Sequence, residues 1–318
     1  MNSNIISVGA SAVLKDSDAL REKHTFMSNF GDPVLNYRVD GEYIHLPRSL
    51  GKGYGEDTRD EGRDIEVISQ FKPRNEDQTR AVNEATQLLR DDQDFVFRAD
   101  TGYGKTYCGS AIAANIGKRT LVITTKEDII NQWVKAMTEV MGISVRDIGL
   151  WRGNSVPKPN HKVVIGLVQS IKNGPDRYGI EAYRGFGLVI PDEVHRLGAD
   201  EFVKCMWYLP AKLRMGMTAT PKRADGKSLV FTKHIGPIMV EGRVEAEPFK
   251  ALVANSEWKV PMVYRAGGMV PMFHKAGRTM SLLKSMSECA QRNALVGEFT
   301  ASAYRKGRHI IVFADTVL

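Results

Sequence analysis

Cysteine is scarce in this 318-residue sequence: Cys108, Cys205 and Cys289 stand far apart and make neither a disulfide framework nor a zinc-ligand pattern. Such sparse use fits a reducing compartment, most simply a cytoplasm. No apolar stretch approaches the length of a membrane span. The short apolar run in the N-terminal MNSNIISVGASAVLKD has no basic residues before it, which argues against a secretory signal. Internal repeats are absent too. Acidic residues thin out toward the C-terminus: from Lys204 onward there are 18 Lys/Arg against 8 Asp/Glu, and the preceding residues carry 26 against 29. A basic C-terminal third suggests a polyanionic partner such as nucleic acid, with a merely solvated face as the plain alternative. At 42% hydrophobic and 25% charged, the composition is that of a soluble globular chain. Its length allows two compact domains or one large one with an appendage.

Residues 1–68 read as a small β-rich unit. VLNYRVDGEYIHLPR holds two β-rich runs around the turn dipeptide Asp40-Gly41, and GKGYGEDTRDEGRD reads as a loop or linker. From Phe71 strands and helices alternate. NEDQTRAVNEATQLL places Ala81, Ala85, Leu88 and Leu89 on one helical face, KTYCGSAIAANIG stops at Gly117, and EDIINQWVKAM turns Ile129, Ile130, Trp133 and Met137 inward. DFVFRA, RTLVIT, HKVVIGLV, FGLVI and LRMGMT form a strand series. This alternation predicts an α/β fold, a parallel sheet with helices on both faces, whose ligands bind at the carboxyl ends of the strands.

Ala99-Asp100-Thr101-Gly102-Tyr103-Gly104-Lys105-Thr106 lies between one such strand and the following helix, and fits the G-x-x-x-x-G-K-[ST] phosphate loop except that Ala99 replaces the first glycine. Gly102 and Gly104 let backbone N–H groups turn toward phosphate oxygens, and the helix N-terminus adds partial positive charge. Lys105 is placed for the β- and γ-phosphates and Thr106 for Mg²⁺. The bland reading, a glycine-rich turn with a chance lysine, is disfavoured by the strand before and the helix after.

GFGLVIPDEVHRLGA then sets Asp192 and Glu193 at the end of another apolar strand, where adjacent carboxylates repel and lose solvation unless something cationic uses them. With a phosphate loop in the chain, Asp192 suits the Mg²⁺ and Glu193 the attacking water.

Together with MTATPKRADGK (217–227), these segments resemble motifs I, II and III of superfamily 2 DExH-box helicases over about residues 70–243. LRMGMTATPKRADG followed by HIGPIMV is most similar to the XPB-like branch, which includes phage helicases acting on branched DNA. The resemblance implies a RecA-like domain over 69–243, ATP and Mg²⁺ as cofactors, and DNA (branched, duplex or single-stranded) as partner, with RNA less favoured. It implies that PRNEDQ reads adenine through Gln78 with Arg74 nearby; Asn75 and Gln78 also have the spacing of a helix capping box. It implies a coupling role for His195, Thr218, Ala219 and Thr220, and backbone grip on DNA by Thr125, Lys126, Gln169 and Ser170. Leu167 departs from the family's threonine, and Pro191 removes a backbone donor just before Asp192. Residues 244–318 are expected to begin a second RecA-like lobe. No arginine-finger candidate follows, so weak hydrolysis and a longer parent motor are expected. The resemblance also admits the motor subunit of a restriction complex, or a nucleotide-gated binding module.

Overall fold

The computed structural model describes residues 5–27, 29, 31, 33–52, 54–194, 199–219, 232–244, 262–265, 268–271 and 290–307. His195, Thr220 and the stretch 221–231 of the MTATPKRADGK segment lie outside these residues. The chain divides into two compact units, Met1–Ala246 and Glu247–Leu318.

The first unit is built on seven strands: β1 (Phe95–Ala99), β2 (Thr120–Thr124), β3 (Ile148–Trp151), β4 (Val163–Leu167), β5 (Leu188–Pro191), β6 (Leu213–Thr218) and β7 (Ile238–Gly242). They pair in the order β3-β4-β2-β5-β6-β1-β7, every pair parallel. The expected strands are present. β3 and β7, the two edge strands, are additions to that series.

Both faces are covered, which is why the strands are apolar without alternation. Val122, Ile190, Met215 and Met217 pack against helices α1 (Glu76–Arg90), α2 (Lys105–Ile116) and α3 (Glu127–Met141). Leu121, Ile123, Val164 and Val189 face Tyr183, Phe186, Cys205, Met206 and Leu209. The helix faces read from spacing are the buried ones, with Ala81, Ala85 and Leu89 inward on α1 and Ile130, Trp133 and Met137 inward on α3. α2 ends at Gly117 and α3 at Gly142, both left-handed with φ near 65°, where a glycine meets no Cβ penalty.

Near the N-terminus a five-strand sheet runs in the order Arg38–Asp40, Tyr43–Pro47, Ser11–Lys15, Ser7–Val8, Glu56–Asp57. Its hairpin turn is Gly41-Glu42, one residue later than the sequence reading, because Asp40 pairs with Tyr43 across the strands. Residues 56–64, read as a loop or linker, form a docked strap. Asp60 N–H donates to the Pro210 carbonyl (2.8 Å) while its carboxylate accepts from Gly185 N–H (2.6 Å). Gly62, at φ 68°, lies against Gly187 so closely that a Cβ would stand 1.9 Å from the Gly187 nitrogen.

A buried polar knot fastens this region to the amino ends of β1 and β6. Arg214, with no exposed surface, donates to the carbonyls of Leu209 (2.7 Å), His234 (2.8 Å), Ala10 (2.9 Å) and Met206 (3.2 Å). Asp94 accepts from Arg214 N–H (2.9 Å) and from the guanidinium of Arg48 (2.7 Å), which also donates to the Ala211 carbonyl.

The second unit contains an antiparallel hairpin, Met262–Arg265 with Gly268–Pro271, and a helix, Ala290–Arg305.

Candidate nucleotide site

The strand ends of β1, β5 and β6 converge where sheet topology places ligands. β1 ends at Ala99, residues 100–104 turn, and α2 begins at Lys105, with Gly104 as its cap at φ 91°. Gly102 has φ 86°, and a Cβ built on it would meet no protein atom within 4 Å. The glycine thus keeps a cradle clear as well as allowing the turn. Lys105 donates to the Ala99 carbonyl (3.2 Å) and stands 3.8 Å from the Glu193 carboxylate.

Asp192 is 5% exposed. One carboxylate oxygen accepts from the Trp133 indole N–H at 2.8 Å, the other from Glu193 N–H at 2.9 Å. Burial pushes its pKa up to about 6; the Trp133 hydrogen bond and nearby Lys105 pull it down, the Glu193 charge pushes it up. Trp133 was legible only as an inward core residue. Its second role follows from a general rule, that a buried indole N–H needs an acceptor.

Pro191 is harmless to the ladder. Asp192 N–H reaches the Ile123 carbonyl of β2 (2.8 Å), so by strand alternation Pro191 faces β6. The β5–β6 ladder pairs Leu188 and Val189 and resumes only at the bridge between Asp192 and Met217, so the missing N–H falls in its gap. Glu193 adopts a left-handed backbone, φ 50°, which costs a non-glycine residue about 1–2 kcal/mol and is characteristic of functional sites.

A cavity of about 460 Å³ is lined by Thr101, Gly102, Lys105, Thr106, Asp192 and Glu193 among others. A second, about 650 Å³, lies beside it over Asn75, Asp77, Gln78, Tyr103 and Arg243; Arg74 and Gly102 border both. Among the described residues no cluster of three or more His, Cys, Asp or Glu side chains is placed for a metal. Thr106 and Asp192 on one cavity wall fit a cation that takes its remaining ligands from phosphate and water.

Gln78 holds a place that neither sequence reading foresaw. Asn75 does cap α1, accepting from Gln78 N–H at 2.9 Å. The Gln78 carboxamide, however, is buried: its oxygen accepts from Arg74 N–H (2.7 Å) and its nitrogen donates to the Tyr103 carbonyl. It braces the phosphate loop. Tyr103 in turn donates its hydroxyl to Asp77 (2.9 Å), and its ring fills the space a side chain at position 242 would need.

Thr125 and Gln169 meet on the exposed rim, Gln169 donating to the Thr125 carbonyl at 3.1 Å, with Lys126 exposed beside them. Ser170 must be taken off that rim. It is buried and accepts from Gly153 N–H (2.9 Å), fixing the turn after β3. Thr218 is buried at the end of β6, followed by Ala219, and Val194 N–H donates to the Met217 carbonyl (3.1 Å), tying the two strand ends together.

Asp192→Asn gives a pH test of this buried charge. The unfolded carboxyl loses its proton near its ordinary value of 3.8 and the folded one only near 6. The wild-type fold therefore loses stability as pH rises through that window and stays penalised above it. In chelator, denaturation midpoints from pH 4 to 7 are expected to shift in the variant's favour by about 2–3 kcal/mol. A constant offset would mean that Asp192 carries no burial penalty that titrates between pH 4 and 7.

Residues 70–223 match the family described as "Type III restriction enzyme, res subunit". The chain is 29% identical over 166 residues to "Probable helicase D10" of Escherichia phage T5, covering 52% of this chain and 34% of that protein. It is 27% identical over 229 residues to "Putative ATP-dependent RNA helicase L396" of Acanthamoeba polyphaga mimivirus, covering 67% and 41%. The chain thus spans well under two thirds of these relatives. The crystal structure of the UvsW helicase from bacteriophage T4 shares the fold, with TM-score 0.55 and 14% identity over 76% of this chain and all of that one. The expected RecA-like α/β fold is therefore present, preceded by a small β-rich region. The sequence matches and the fold together support a superfamily 2 helicase, similar to phage helicases, over residues 70–223.

Proposed function

We propose that the chain is the ATP-hydrolysing lobe of a DNA helicase or translocase of the XPB-like type, acting on duplex or branched DNA. The observation that carries this reading is the geometry at the strand ends: Lys105 beside Glu193, and Asp192 held by Trp133, all on one cavity with the phosphate loop. In this reading the N–H groups of 102–106 and Lys105 bind the β- and γ-phosphates, and Thr106 with Asp192 holds Mg²⁺, which supplies charge neutralisation on the phosphate oxygens. Glu193 orients the attacking water and takes its proton. Arg74, bordering both cavities, sits between phosphates and base.

The hydrogen bond from Val194 to Met217 supports coupling, since a shift at the carboxylates pulls on Thr218 and Ala219. His195 and Thr220 join that network in the proposal. Thr125, Lys126 and Gln169 form the DNA-backbone rim, with 1–68 as accessory region, 69–243 as first lobe and 244–318 as the start of the second. The family description gives a second reading, the motor of a restriction complex.

The test is nucleotide hydrolysis, and nucleotide-dependent binding of labelled strands, with no nucleic acid, single-stranded DNA, duplex, a four-way junction and RNA. Strongest stimulation by the junction is expected. Equal response to duplex and junction would move the bet to the restriction motor; stimulation by RNA alone would sink the DNA reading.

A further inference from the structure

Thr124 ends β2 one residue before the rim. It is 1% exposed, and its hydroxyl finds no hydrogen-bond partner among the described residues. A buried polar group left so calls for an explanation, because leaving it without a partner is costly.

Its place supplies one. Ladder register pairs Val122 with Ile190 and Ile123 with Pro191, and Asp192 N–H continues it by donating to the Ile123 carbonyl. The next position along puts Thr124 beside Asp192. Alternation then sets both side chains on one face of the sheet. Val122 and Ile190 pack there against the core that contains Trp133, whose indole grips Asp192. A hydroxyl therefore stands next to the carboxylate assigned to the cation, on its buried side.

We propose that Thr124 is a positioning residue for the cation site: its hydroxyl accepts a hydrogen bond from a water that bridges Asp192 and the divalent ion. This rests on the nucleotide reading above. The atoms suit it. Both Asp192 oxygens already accept one bond from protein, Trp133 and Glu193, and each keeps room for another. A cation-bound water has two protons to give, one to Asp192 and one to the Thr124 oxygen. Groups in this outer position set ligand orientation and typically weigh 10–100-fold on metal affinity.

The experiment uses the full chain and a fluorescent ADP, titrated in EDTA and in rising Mg²⁺. Thr124→Val keeps the shape and removes the hydroxyl; Thr124→Ser restores it. For Thr124→Val, the Mg²⁺ needed for half of the metal-dependent tightening is expected to rise about tenfold. Affinity in EDTA should be unchanged, and Thr124→Ser should return close to wild type. The melting temperature of the apo Thr124→Val protein should hold or rise, since a hydroxyl with no protein partner is lost.

An unshifted Mg²⁺ requirement in a folded Thr124→Val protein overturns the proposal. So does a loss of affinity equal in EDTA and Mg²⁺, which would mean general distortion of the site. If wild type binds the nucleotide in neither condition, the parent nucleotide reading fails, and this inference with it. Nucleotide binding by wild type without any Mg²⁺ effect overturns the cation role alone.

Discussion

Glu193→Gln is expected to slow nucleotide hydrolysis by a factor on the order of 10²–10⁴ and to leave nucleotide affinity within about threefold of wild type. The substitution keeps shape and hydrogen-bonding reach but cannot take a proton from water. Glu193 stands 3.8 Å from Lys105 in a left-handed backbone, a conformation with a cost. Lys105→Ala should show the reverse split. It removes a cation from the phosphate cavity, so binding of a fluorescent ATP analogue should fall sharply before hydrolysis is considered. Single-turnover hydrolysis and equilibrium titration separate the two. Hydrolysis by Glu193→Gln within tenfold of wild type would remove Glu193 as the base.

The second large effect is on folding. Arg214→Met is expected to cost about 3–5 kcal/mol, read as a melting temperature lower by roughly 10 °C. Methionine keeps the apolar stem but leaves the carbonyls of Ala10, Met206, Leu209 and His234 without their donor in a place water does not reach. Arg214→Lys should rescue little, because an ammonium cannot serve four carbonyls spread around a planar fork. The comparison is Arg152→Met. Arg152 pairs with Glu127 at 2.7 Å, yet both side chains are about half exposed, so its loss should stay within about 0.5 kcal/mol. Similar losses for the two variants would mean the buried knot contributes no more than a surface ion pair.

The sheet, its three flanking helices and the phosphate loop were legible because each has a local cause. Apolar runs of four to six residues, helical spacing and left-handed glycines at 102, 104 and 117 are all written in short windows of sequence. What was not legible depends on partners far away in the chain. Trp133 and Asp192 are 59 residues apart, and only the fold reveals that the indole serves the carboxylate. Gln78 was read as a base contact or a cap partner; its N–H does bond the Asn75 cap, and its carboxamide also reaches Arg74 and the Tyr103 carbonyl, 25 residues on. Ser170 followed a motif resemblance to the rim, but the short helix after β4 turned it inward. One signal was available and unused: an arginine within the apolar run LRMGMT requires buried acceptors, as Arg214 demonstrates.

Arg48, Asp94 and Arg214 form a keyed joint at the amino ends of the strands, opposite the nucleotide site, with the strap 56–64 laid across the same ends. A key constrains inheritance. Asp94 cannot become apolar while two arginines stay buried around it, and neither arginine can leave alone without stranding carbonyls or a carboxylate. Exchange of the first 68 residues between relatives should therefore succeed only where positions 48, 94 and 214 travel as a set, however freely the surfaces around them drift.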